Sequence, residues 1–75
     1  MLESRTTDDL VRIAAAGGGF RLSAGPRTTD DLVRIAAAAS SKGARISFTG
    51  LGARATEDLV RIAAAGRGAV MFGDE

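Results

Sequence analysis

The 75-residue chain has no cysteine, no histidine, no tryptophan and no tyrosine, and only one proline. Without cysteine there are no disulfides and no thiolate chemistry, and without both Cys and His the usual zinc ligand sets cannot form. The same two absences remove the base or nucleophile of the common catalytic triads. A Ser–Lys pair would have to come from Ser40, Ser41 and Lys42, which adjoin one another beside Gly43 in a polar stretch. The expectation is therefore a protein that is not an enzyme and takes no cofactor and no metal.

Charge of a single sign is also missing. Ten Lys and Arg oppose nine Asp and Glu, for a net charge of +1, and the signs alternate along the chain. That balance gives no general attraction to nucleic acid or membrane surfaces. No apolar run approaches the length of a membrane span and no signal-peptide pattern opens the chain, so a cytoplasmic protein is expected. Aromatic side chains are scarce, with three Phe, and alanine dominates the apolar residues, so each buried side chain contributes little area. A chain of this size buries only about 60% of its unfolded surface. With no disulfide or zinc to compensate, association with a second copy is the expected remedy, and a homodimer the expected partner state; another protein is a further possible partner.

What the chain does have is repetition. The eleven residues Thr6 to Ala16 recur unchanged as Thr28 to Ala38, and again as Ala55 to Ala65 with Ala55 for Thr and Glu57 for Asp. Such a pattern denotes one supersecondary unit stacked on itself. Copies this similar imply either recent duplication or an engineered, consensus-like sequence. The chain reads as one domain, 1–75, of three units at about 6–26, 27–53 and 54–75.

Each unit opens with a helix signal. Thr7, Thr29 and Thr56 are the threonines common to all three copies and are expected as N-caps, followed by acidic pairs that suit the helix dipole. Gly17-Gly18-Gly19, Gly43 and Gly66 are expected to stop the helices. Gly17-Gly18-Gly19 is not a phosphate loop, because it follows a helix and opens a strand, the wrong polarity for helix N–H groups to face an anion. Leu10, Ile13 and Ala14, with their equivalents, form the apolar stripe. Arg12, Arg34 and Arg61 each lie four residues after Asp8, Asp30 or Glu57, the order favoured by an intrahelical ion pair. Ser40 to Gly43 and Thr49 to Gly52 lengthen the connections of the second unit.

After the glycines the period changes to two. Phe20 to Ala24 and Arg45 to Thr49 alternate apolar with polar, Ala69 to Phe72 follows more loosely, and Met1 to Arg5 is a candidate first strand with Leu2 and Ser4 on one side. Gly25-Pro26 closes the first loop. The expected fold is α/β: three tandem helix–strand repeats, with an optional N-terminal strand, forming a two-layer, solenoid-like parallel sheet. Phe20, Leu22, Ile46, Phe48, Val70 and Phe72 would meet the helices. The opposite face, with Arg21, Ser23, Arg45, Ser47, Thr49 and Met71, is the candidate binding face, since fully covered parallel sheets carry continuous apolar runs instead. The function expected is a small interaction scaffold that self-associates. The alternative is nucleic-acid or anion binding through the Arg-bearing face.

Two family resemblances attach to these residues. Thr7-Asp8-Asp9-Leu10-Val11-Arg12-Ile13-Ala14, followed by Gly17-Gly18, resembles the first helix and loop of transcription activator-like effector repeats, which read DNA one base per repeat. The resemblance ends at Phe20 to Ala24, where those repeats continue into a second helix. The loop pair is not kept between copies (Gly17-Gly18 against Ala39-Ser40), so no base-reading role carries over. The helix–strand rhythm is also similar to that of leucine-rich repeats, whose strands line an open protein-binding face. The Leu-x-x-Leu-x-Leu spacing of that family is absent, so this likeness implies architecture alone.

Overall fold

The computed structural model describes residues 4–25 and 27–73. Three helices alternate with three strands: α1 (Thr7–Ala15), β1 (Phe20–Ser23), α2 (Thr29–Lys42), β2 (Ile46–Thr49), α3 (Thr56–Gly66) and β3 (Val70–Phe72). The strands form one parallel sheet in the order β1-β2-β3, with Phe20 opposite Ile46 and Ile46 opposite Val70. The helices follow the same order, α2 packing between α1 and α3. The α/β class, the alternating helix–strand order and the parallel strands are as expected. Of the candidate N-terminal strand, Ser4 has 3₁₀-helical geometry and Arg5 lies in a bend, while Met1 to Glu3 fall outside the described residues, as does Pro26.

Alternation in the strands sorts their side chains as expected, with one correction. Leu22, Ile46 and Phe48 are buried in one cluster with Leu10, Ala14, Leu32, Ile35, Ala36, Ala39 and Ile62 of the helices, and Phe20 and Val70 pack partly against it. Each fully buried large side chain of this set contributes about 1.5–3 kcal/mol. Phe72 does not join them. It lies on β3 at the end of the sheet order and is 42% exposed.

The helix starts differ from expectation by one residue. Thr6 and Thr28, in extended conformation, are the N-caps, and their hydroxyls accept from the N–H of Asp9 and Asp31 at 3.1 Å. In α3 the cap is Ala55, which holds the same extended backbone but offers no oxygen. Thr7, Thr29 and Thr56 are instead the first helical residues, which releases their hydroxyls for other partners.

Helix ends also carry two corrections. Ser40, Ser41 and Lys42 do not lengthen a loop; they extend α2 to 14 residues. The two serine hydroxyls donate back to the carbonyls of Ala37 and Ala38 at 2.9 Å, and Gly43 then ends the helix at φ 71°. Gly66 is inside α3, not beyond it; Arg67 at φ 48° is the C-cap. What Gly66 supplies is room, because a Cβ there would stand 2.7 Å from Val70 Cγ2.

Candidate functional site

The six residues of the candidate binding face alternate along the chain with Phe20, Leu22, Ile46, Phe48 and Val70, which lie in the core or pack against it. Register sets Arg21, Ser47 and Met71 in one row across the three strands, with Ser23 beside Thr49 in the next. Arg45 directly precedes β2. Arg21, Arg45 and Met71 are exposed, while Ser23, Ser47 and Thr49 are half-buried. The face carries two cations and three hydroxyls on and beside β1 and β2, with the exposed Met71 on the end strand β3.

The recurring polar residues of the helices make a more organised arrangement, and sequence reading assigned it to the wrong partners. Arg27, just before the second cap, reaches back across the preceding helix start. Its Nη1 donates to Thr7 Oγ1 at 2.7 Å and its Nη2 to the carbonyl of Arg5 at 2.6 Å. Arg54, just before the third cap, repeats the move one unit later: Nη1 donates to Thr29 Oγ1 at 3.0 Å and Nη2 to the carbonyl of Arg27. Planar guanidinium groups suit such paired donation. Thr7 and Thr29 thus serve as acceptors between neighbouring helix starts rather than as caps.

Arg34 and Arg61 follow the same direction. Arg34 Nη2 bonds Asp8 Oδ1 of α1 at 2.7 Å, and Arg61 Nη2 bonds Asp30 Oδ1 of α2 at 2.6 Å. The expected pairs within one helix are replaced by pairs between adjacent helices, with only a long 3.9 Å approach of Arg34 to Asp31 in its own helix. The hydrogen bond to Asp8, followed by the charges of Asp8 and Asp31, raises the Arg34 pKa above its ordinary value despite some desolvation. Both pairs are exposed, so solvent screens them strongly.

These contacts have a direction. At each boundary the later unit donates through two arginines, and the earlier unit accepts through a threonine hydroxyl, a carbonyl and a carboxylate. At the α1 end, Arg5 and Arg12 occupy the donor positions, are exposed, and have no acceptor for their side chains among the described residues. With Asp9, Ile13 and Ala16 they line an open hollow of about 360 Å³. At the α3 end, Thr56 and Glu57 occupy the acceptor positions and are exposed.

Apolar burial shows the same two ends. Ile35 and Ile62 are fully buried, whereas their counterpart Ile13 is only half-buried. Conversely, Val11 and Val33 pack against the core, whereas Val60 is 60% exposed. Among the described residues the large exposed apolar side chains are Val60, Met71 and Phe72, all in the last helix–strand unit.

The remaining chemistry is sparse. Among the described residues no group of three or more His, Cys, Asp or Glu side chains is arranged to hold a metal ion. No described helix is long and apolar enough to cross a membrane. No family model, no curated protein and no solved structure matches the chain.

Proposed function

We propose that this chain is a small, non-enzymatic interaction scaffold built of three stacked helix–strand repeats, solenoid-like in form, which self-associates. The observation that carries the reading is the recurrence of one donor–acceptor set between α1 and α2 and again between α2 and α3. A repeated boundary is the mark of stacked units whose contacts are with their nearest neighbours. Most repeated polar residues are engaged in capping or in joining units, which is a structural use. Exposed apolar side chains gathered on one terminal unit suit a contact with another chain.

Sedimentation equilibrium over a wide concentration series tests the reading. Average mass rising above that of the single chain is the expected result. A constant single-chain mass at the highest concentration would overturn self-association.

A second reading has an observation of its own: Arg21 and Arg45 are exposed on the sheet face, with no side-chain acceptor among the described residues. They could donate to an anion or to nucleic-acid phosphates. This reading requires salt-sensitive retardation of DNA or RNA in a mobility-shift assay, lost in an Arg21→Ala/Arg45→Ala variant. Unretarded DNA and RNA at low salt would reject it.

A further inference from the structure

We infer that copies of this chain stack head to tail, the α3 end of one against the α1 end of the next, through the same contact that joins neighbouring helices inside the molecule. The inference rests on the self-association reading and specifies its geometry.

The two ends complement each other residue by residue. Inside the molecule, Arg27 and Arg54 each bind a threonine hydroxyl and an arginine carbonyl of the preceding unit. Arg5 holds the equivalent place at the α1 end, and Thr56 with the carbonyl of Arg54 holds the equivalent acceptor place at the α3 end. Arg12 corresponds to Arg34 and Arg61, and Glu57 corresponds to Asp8 and Asp30. The next copy's Arg5 would therefore bind Thr56 and its Arg12 would pair with Glu57.

Apolar surfaces match in the same register. Half-buried Ile13 would be covered as Ile35 and Ile62 are, and exposed Val60 would be covered as Val11 and Val33 are. The sheet order suits the same placement, because β1 and β3 stand at its two ends and β3 pairs with β2 alone among the described residues. Continuing the internal register sets Val70 opposite Phe20 of the next copy and brings Phe72 beside its Leu22.

Charge favours unlike ends over the simplest twofold alternatives. Two α1 ends brought together would set Arg5 and Arg12 against their own copies, and two α3 ends would set Glu57 against Glu57. Unlike ends satisfy one another, and a contact between unlike ends repeats into a filament or closes into a ring.

Two variants that each block one end decide the matter. Ala16→Arg places bulk at the rim of the α1-end hollow, and Val60→Arg does so on the α3 end. Both positions are exposed in the single chain, and circular dichroism checks that each variant folds. The unaltered chain should exceed twice the single-chain mass in sedimentation, either without a limit or as a closed ring. Each variant alone should be a monomer. Their equimolar mixture should form a one-to-one complex and nothing larger, because it retains one good end of each kind. Glu57→Gln should weaken association about fivefold. A chain that stops at a dimer, with no complex restored on mixing, would overturn head-to-tail stacking while leaving self-association standing. A monomer at every concentration would overturn both.

Discussion

At the scale of single residues, Arg54 shows why like residues in like positions need not act within their own helix. Its guanidinium spans two acceptors of the preceding unit, Thr29 Oγ1 and the carbonyl of Arg27, and approaches the carbonyl of Gly25 at 3.3 Å. Arg54→Ala should lower stability by about 1.5–3 kcal/mol in urea unfolding, the range for hydrogen bonds from a charged donor. A double-mutant cycle with Thr29→Ala should show positive coupling; simple additivity would mean that the pair contributes nothing. The caps give a second residue-scale prediction. Thr28→Ala should cost about 1 kcal/mol, and Ala55→Thr should return about that much, since Ala55 already has the extended backbone of a cap at φ −65°, ψ 149°. Thermal unfolding of the two variants checks both signs.

Those caps also show where reading one sequence reached its limit. Two adjacent threonines in the first two copies fit either register, and Ala55 favours the register in which all three copies keep a hydroxyl. Backbone geometry decides otherwise, because a helix can start at a residue that offers no capping oxygen. The Asp–Arg spacing was likewise compatible with pairs inside one helix or between two. Only the stacking of neighbouring helices selects Arg34 with Asp8 over Arg12 with Asp8.

At the scale of elements, the strands were legible because period-two alternation survives in stretches as short as Ile46–Thr49. The candidate binding face followed from it directly. The extended end of α2 was not legible, since Ser-Ser-Lys-Gly has the composition of a loop. Their carbonyl-bonded hydroxyls and the late αL glycine keep those residues helical. Glycines separate close packing from mere turning. A Cβ on Gly19 would lie 2.6 Å from the carbonyl oxygen of Arg45, on backbone that cannot yield, whereas one on Gly52 would meet nothing within 4 Å. Gly19→Ala should thus destabilise by about 1–3 kcal/mol, as overpacking does, while Gly52→Ala should be neutral or slightly stabilising. Equal effects in chemical denaturation would contradict the assignment. Gly66→Ala should be destabilising too, and Val70→Ala in the same chain should recover part of the loss.

At the scale of the whole molecule, the donor–acceptor set that joins neighbouring helices is left open at both ends among the described residues. Donors collect at α1, acceptors and exposed apolar side chains at α3, and in the proposed stack a second copy would supply the complement of each end. The repeat was plain from the sequence, but its polarity was not, because identical copies look alike until their neighbours are known. The absence of cysteine permits a direct check of that polarity by thiol-specific cross-linking. The measurement is the cross-linked product pattern of Arg12→Cys/Glu57→Cys treated with a short bis-maleimide, beside each single variant and their mixture. Head-to-tail stacking predicts a ladder of covalent multimers from the double variant, a dimer alone from the mixed single variants, and no product from either single variant by itself. A dimer from Arg12→Cys or Glu57→Cys alone, or no ladder from the double variant, would contradict it.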